Sequence, residues 1–289
     1  RADRGREIHL PTGHQPLGHH ETEFVDGVAH VVRTVREGQL RAARAEVARA
    51  APDGYTFAVV FDTHAVNPAL YKLPYDPLKA FAPISIFASS PNVLAIYPGL
   101  PAKDLKEFVA LAKSQPGEIQ YGSGGVGNIS QLAAELFRLR TGIDIVHVPF
   151  KGASEVYTAI LGGQIQMYFG DIGGMLPLIR EKRLKALALS GAARSRELPD
   201  LPTMIESGVP DYQVSTFIGV MAPAGTPSDV VRKLNGAINQ SLRTPEVMAT
   251  AAKLNADVTP ASPEDFGAFL YREYDKWSDV VRRAGIKIE

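Results

Sequence analysis

Tyr121-Gly-Ser-Gly-Gly-Val-Gly-Asn-Ile-Ser-Gln-Leu-Ala-Ala-Glu135 is the stretch on which the fold turns. A short strand candidate at 118–121 runs into a glycine-rich turn, and a helical pattern opens at Asn128. Backbone N–H groups converge at such a helix start and favour an anion. Asn128 is a good N-cap, and Gln131 stands three residues on, where a capping box takes Gln or Glu. The glycines suit a tight strand-to-helix turn without any ligand equally well. Gly122, Gly124 and Gly127 also spell G-x-G-x-x-G, formally a dinucleotide fingerprint. That fingerprint needs an acidic residue at the far end of the next strand to hold a ribose. The nearest acid, Asp144, stands at the start of the next strand candidate, 143–149, and Lys151 and Gly152 follow that strand. The anion pocket survives this test and a dinucleotide site does not.

Outward from this loop the chain alternates strand-like and helix-like segments from Ala50 onward. Residues 55–61, 83–96, 165–169 and 184–190 are apolar runs that suit a parallel sheet covered on both faces. Between them, Leu105, Phe108, Val109 and Ala112 form one helical stripe, and Leu132, Leu136 and Leu139 another. Such alternation predicts an α/β fold with parallel-rich sheets. Thr226-Pro227-Ser228-Asp229 and Ser262-Pro263-Glu264-Asp265 read as helix starts, with a cap and a proline at the first helical position. Trp277 lies on an apolar stripe with Phe266, Phe269, Leu270, Val280 and Val281, a core position rather than a ligand platform. Pro98-Gly-Leu-Pro101 and Ala222-Pro-Ala-Gly-Thr-Pro227 are the strongest breaker clusters and bracket about 120 residues. They predict a domain of 99–220 inserted in one made of 1–98 and 221–289. Two crossings make a hinge, and a hinge makes a cleft that closes on a ligand.

Composition narrows the function. The chain has 289 residues, 31 basic and 31 acidic, 45% hydrophobic and 21% charged, an ordinary globule of one or two domains. A formal net charge of zero gives no electrostatic footprint for nucleic acid or an anionic membrane as partner. No run of 18 apolar residues encodes a membrane span. The polar N-terminus shows no secretory signal, as a processed precursor would also lack one. Without cysteine there is no disulfide, thiolate catalysis or cysteine metal site. The first fifty residues hold five of the seven histidines, eight arginines and no lysine. His19-His20-Glu21 with Glu23 fits no metal-site spacing and reads as a solvated, irregular segment. Only 37–50 looks helical there, through its alanine and arginine content.

Several short runs resemble one family in order and spacing: APDGYT at 51–56, THAVNPALY at 63–71, LPYDP at 73–77, YGSGG at 121–125, VHVPFKG at 146–152, LGGQ at 161–164, LPT at 201–203 and MAPAGTP at 221–227. Over about five-sixths of its length the chain looks like the substrate-binding proteins of tripartite tricarboxylate transporters, the Bug receptors. The resemblance implies a periplasmic two-domain clamshell that binds a small organic carboxylate and delivers it to a membrane permease of two subunits. It implies no catalysis, no cofactor and no metal, and a monomer is the simplest state for a receptor that closes. Ser123, Gly124, Gly125, Gly127 and Asn128 would hold a ligand carboxylate through backbone N–H and the Ser123 and Asn128 side chains. Thr63 and His64 would approach from the first domain, although His64 could equally be a structural histidine beside an Asn67-Pro68 turn. Lys151 could add positive charge or be simply solvated. Asp171, ending the strand candidate at 165–170, could accept a ligand amino group or cap the following helix. Thr216 and Phe217 match a site-facing segment, with Phe217 where tryptophan is frequent in the family.

Residues before about 40 depart from the family, whose members open with a strand and a Pro- and Gly-rich loop. Ile8-His9-Leu10 could be a strand remnant, but 11–20 does not match the loop. A shifted reading frame would produce this, and the coding DNA tests it: the idea fails if no alternative frame restores the strand and loop. Two further readings stand beside the receptor. One is an α/β enzyme acting on a small carboxylate or phosphate, with His64, His147, Ser123 and Asp171 as triad material. It lacks G-x-S-x-G, the P-loop pattern and H-E-x-x-H. The other is a paralogue whose first domain is damaged and which binds nothing.

Overall fold

The computed structural model describes residues 37–288, with side chains from 41 onward. The readings placed on 1–36, namely the strand remnant, the histidine cluster and the frame shift, lie outside the described residues. In chain order the elements are α1 (Glu37–Val47), β1 (Ala58–Phe61), α2 (Thr63–Leu70), β2 (Phe81–Ile96), α3 (Leu105–Ser114), β3 (Ile119–Ser123), α4 (Ile129–Thr141), β4 (Ile145–Pro149) and α5 (Ala153–Leu161). They continue as β5 (Met167–Asp171), α6 (Ile172–Arg180), β6 (Lys185–Leu189), β7 (Ser215–Pro223), α7 (Ser228–Ser241), α8 (Pro245–Lys253), β8 (Asp257–Val258) and α9 (Pro263–Ala284).

The strands form one connected array in the order β1-β7-β2-β5-β3-β4, with β6 and β8 also paired to β2. β2 organises it. Its first part, Phe81 to Pro91, pairs antiparallel with β7, and from Asn92 to Ile96 it pairs antiparallel with β5. β3 runs parallel to both β4 and β5. The α/β class is as expected, but β2 and β6 are antiparallel despite their continuous apolar runs. What makes them apolar is burial on both faces, which does not depend on strand direction.

Alternation along the strands assigns those faces. Leu94 and Ile96 of β2, Met167 and Phe169 of β5 and Tyr121 of β3 join a core completed by Phe108 of α3, Leu132 and Phe137 of α4 and Trp277 of α9. Val93 and Ala95 of β2 and Tyr168 of β5 face the other way, onto Val156 and Ile160 of α5 and Met175 of α6. At the β1-β7 end, Phe217 and Met221 pack with Phe266 and Leu270 of α9, while Val220 and Ala222 pack with Val231 of α7. α9 therefore contributes to two cores, Phe266 and Leu270 to one and Trp277, Val280 and Val281 to the other.

Local chemistry explains the helix ends. Asn128, Ser262 and Asp104 cap α4, α9 and α3 through side-chain oxygens. Thr226 caps nothing: its hydroxyl donates to the Pro223 carbonyl at 2.8 Å, and Pro227 occupies the N-cap of α7. Asn67-Pro68 is not a turn either, because Pro68 lies inside α2.

Candidate functional site

Because β3, β4 and β5 are parallel, their carboxyl ends, Ser123, Pro149 and Asp171, share one edge of the array. Each strand feeds a helix that starts at that edge: α4 capped by Asn128, α5 following Gly152, and α6 capped by Asp171. α4 packs on one face, whereas α5 and α6 pack on the other. The winding direction thus reverses on both sides of β3, and the glycine loop 124–128 sits at a topological switch point, the place where open α/β sheets bind ligands. Three helix N-termini and no strand amino end of β3, β4 or β5 face this edge, which favours negative charge.

The loop is held by its own side chains. Ser123 is fully buried. Its Oγ accepts from Gly125 N–H at 3.2 Å, donates to the Gly125 carbonyl at 3.0 Å and lies 2.6 Å from His147 Nε2. Gly124 N–H donates to Ser130 Oγ at 3.2 Å and Gly127 N–H to Gln131 Oε1 at 2.7 Å. Asn128 Oδ1 accepts from both the N–H and the hydroxyl of Ser130, at 2.9 and 2.8 Å. Gln131 therefore reaches back to Gly127, one residue beyond the Asn128 N–H that a capping box uses; Asn128 N–H goes to the Gly125 carbonyl. Among the described residues, the N–H groups of Val126 and Ile129 donate to no hydrogen-bond partner. Gly127 adopts φ +80°, and a Cβ there would stand 2.6 Å from Leu70 Cδ1, so this position takes no side chain without strain.

The other expected residues divide between edge and core. Lys151 is exposed just after β4, its N–H held by Glu155 Oε2 at 3.1 Å. Asp171 is an exposed helix cap: Oδ1 accepts from Gly173 N–H at 2.8 Å and Oδ2 from the Ser90 hydroxyl at 2.9 Å. Thr216 pairs with Ser90 across β7 and β2, which brings it to the same crossing as Asp171. Phe217 points the opposite way, 1% exposed and edge-on to Phe266 and Phe269, with no surface to offer a ligand. Strand alternation forces this: neighbours in β7 cannot both face the site.

Thr63 opens α2 and accepts from Arg44 Nη2 at 3.1 Å. His64 is buried, with Nε2 2.9 Å from the Pro77 carbonyl and its ring edge-on to Phe81. Burial, then the Arg44 charge, lowers its pKa to about 4. It is a neutral structural histidine.

A serine and a histidine at 2.6 Å invite a catalytic reading, but the geometry opposes it. Gln131 Nε2, not a carboxylate, meets His147 Nδ1 at 3.2 Å. Asp171 is engaged with Ser90 and Gly173, and His64 with Pro77. A general base requires a bare nitrogen towards the nucleophile and an acceptor behind the ring. Ser130 and Ser90 are site residues the sequence reading did not name, and they required the folded register. Gln131 was read only as a capping-box residue and His147 only as triad material, and the structure gives both a place in the loop's hydrogen bonds.

An open α/β array with an anion-friendly switch point crossed by two long strands defines a solute-binding protein of the periplasmic-binding type. The structures it resembles have that fold. An R. palustris protein solved with adipate matches at TM-score 0.72 and 30% identity, covering 86% of this chain and 83% of that one. MatC from Rhodopseudomonas palustris with bound malate matches at TM-score 0.68 and 33% identity, covering 84% of each chain. The chain belongs to the tripartite tricarboxylate transporter family receptors, whose model matches residues 35–286. It is 34% identical over 245 residues to protein BugT of Bordetella pertussis, covering 84% of this chain and 75% of that protein. The family is one of receptors, not enzymes. Among the described residues no helix is long and apolar enough to cross a membrane, and no cluster of three His, Cys, Asp or Glu side chains could hold a metal.

Proposed function

We propose that this protein is a periplasmic receptor that holds a small organic carboxylate between two lobes and hands it, as a monomer, to a two-subunit membrane permease. The observation that carries this is the switch point at β3, where the Val126 and Ile129 N–H groups are unpartnered at the start of α4. The relatives solved with adipate and malate support a carboxylate as the ligand class. The sequence division at 98/99 and 220/221 becomes, on this reading, hinges at 91/92 and 214/215, because β2 changes partners after Pro91 and β7 begins at Ser215. One ligand oxygen would sit on the Val126 and Ile129 N–H groups, with Gly124, Gly125, Gly127, Ser123 and Asn128 shaping the loop beneath it. Lys151 would add charge, and Thr216 and Asp171 would line the crossing, where a ligand ammonium group would find the Asp171 carboxylate. Thr63 stands at the lobe-one side of the cleft; His64 and Phe217 are left to the core.

Calorimetric titration and thermal unfolding with malate, adipate, citrate, aspartate and glutamate test the reading. A ligand at 100 times its Kd should stabilise the protein by about 2.7 kcal/mol, since it binds only the native state. Stabilisation by the matching diamides but by none of the acids would sink the carboxylate assignment. A preference for aspartate or glutamate over malate would assign Asp171 its ammonium partner.

A further inference from the structure

The hydrogen bonds beneath the glycine loop have a fixed direction. An amide N–H can only donate, so the Gln131 atom 2.7 Å from Gly127 N is Oε1. That orientation turns Nε2, a pure donor, towards His147 Nδ1 at 3.2 Å. Nδ1 must then be the bare nitrogen, and the proton of the neutral ring sits on Nε2, from which it is donated to Ser123 Oγ at 2.6 Å. Ser123 Oγ, accepting from His147 and from Gly125 N–H, gives its own proton to the Gly125 carbonyl. The circuit runs Gly127, Gln131, His147, Ser123, Gly125, and both ends close on the same loop. Tyr121 stacks on the imidazole at 4.9 Å between centroids and 24° between planes, and donates its hydroxyl to Glu135 at 2.6 Å, so the ring cannot turn.

We infer that His147 is a positioning residue, locked as the Nε2–H tautomer, which holds the glycine loop in shape from Gly125 to Gly127 at the start of α4. Its effect on ligand affinity rests on the function proposed above; the tautomer and the order of the loop do not. An imidazole carries a donor and an acceptor at a fixed angle, and no other neutral side chain offers both on one rigid ring that also stacks. The direction of the circuit also deprives Ser123 of a base, so the same bonds that shape the loop keep the site non-catalytic.

Long-range proton–nitrogen NMR on the uniformly labelled, ligand-free full chain at pH 7.5 reads the tautomer directly. The expected result is a protonated Nε2 and a bare Nδ1. A protonated Nδ1, or rapid exchange between tautomers, overturns the inference. Gln131→Glu replaces the donor facing Nδ1 with an acceptor at nearly the same volume, so the proton should move to Nδ1; an unmoved tautomer overturns the inference as well. His147→Phe keeps the stack on Tyr121 but removes both bonds. Amide exchange at Gly125 and Gly127 should rise about tenfold or more, as expected when local order is lost. Affinity for whichever acid binds in the titration panel should fall on the order of tenfold, mainly through dissociation. Unchanged exchange and unchanged affinity in a folded His147→Phe protein would reduce His147 to packing. If the tautomer and exchange results hold while none of the acids binds, the loop circuit stands and the carboxylate reading falls.

Discussion

His64 shows what a residue's surroundings do that its motif cannot announce. It lies in the THAVNPALY run, where the resemblance put it against the ligand, yet it is 2% exposed and bonded to the Pro77 carbonyl. The sequence could not separate these roles, because both place a histidine after a buried strand. The pKa supplies a test. Burial and the Arg44 charge lower it from 6.5 to about 4, so the fold prefers the neutral ring. The unfolded chain takes up a proton near pH 6.5 and the folded one only near pH 4. The contribution is therefore complete above pH 6.5 and is lost as pH falls towards 4, up to about 3 kcal/mol in all. Urea midpoints at pH 7.5 and 5 should fall steeply for the native chain and less for His64→Gln, whose amide can still donate to Pro77. Equal slopes in the two proteins would mean that His64 is not buried neutral. His147 is also lowered, by burial against an opposing pull from Glu135, and leaves part of the slope in both. Phe217 teaches the same lesson: its segment matched a site-facing one, but strand parity sent it into the core beside Phe266.

At the scale of elements the sequence was far more legible. Each expected strand from 83–96 to 184–190 has its counterpart within three residues, and the starts of α4 and α9 fall where the cap chemistry put them. Periodicity and capping are local and are written in the chain; strand pairing is not, which is why the antiparallel course of β2 went unread. The glycine loop is the element whose failure should be the most informative. Gly127→Ala meets two obstacles, a φ of +80° and Leu70 Cδ1 2.6 Å from the new methyl carbon. The backbone alone costs about 1–2 kcal/mol. Gly127→Ala should lower stability by at least that, and adding Leu70→Ala should relieve the contact but not the backbone strain. If the double variant recovers the stability of Leu70→Ala alone, the loop has another conformation available. Asn128→Ala removes a cap that holds both Ser130 N–H and its hydroxyl, and should cost about 1 kcal/mol in urea unfolding. No change would show that Ser130 finds another acceptor.

For the whole molecule the decisive feature is how the two ends of the array are tied. The breaker clusters suggested two crossings, but α9 passes between the cores as well, with Phe266 and Leu270 in one and Trp277 in the other. A signal for this was present, since the apolar stripe runs the length of α9, but a stripe does not say how many cores it serves. Ser190 adds a second tie. Its buried hydroxyl accepts from Asn92 N–H at 2.8 Å and donates to the Val214 carbonyl at 2.6 Å, joining the chain on either side of the crossing. The Ser190 backbone adds two more bonds, its N–H donating to the Asn92 carbonyl at 2.8 Å and its carbonyl accepting from Val214 N–H at 2.9 Å, so the hinges proposed at 91/92 and 214/215 would be linked through this one residue. Ser190→Ala strands a buried N–H and a buried carbonyl and should cost about 1–3 kcal/mol. Trp277 is the only tryptophan, so its fluorescence reports on the second core alone, while far-ultraviolet circular dichroism reports on the entire chain. If α9 couples the cores, the two signals should give one urea midpoint in the native protein and one lower midpoint in Ser190→Ala. A Trp277 transition that separates from the dichroism in Ser190→Ala, but not in the native chain, would show that the hydroxyl, rather than α9, makes the halves unfold as one. Separation in both would show that neither does, and that the two cores unfold independently in spite of the helix they share.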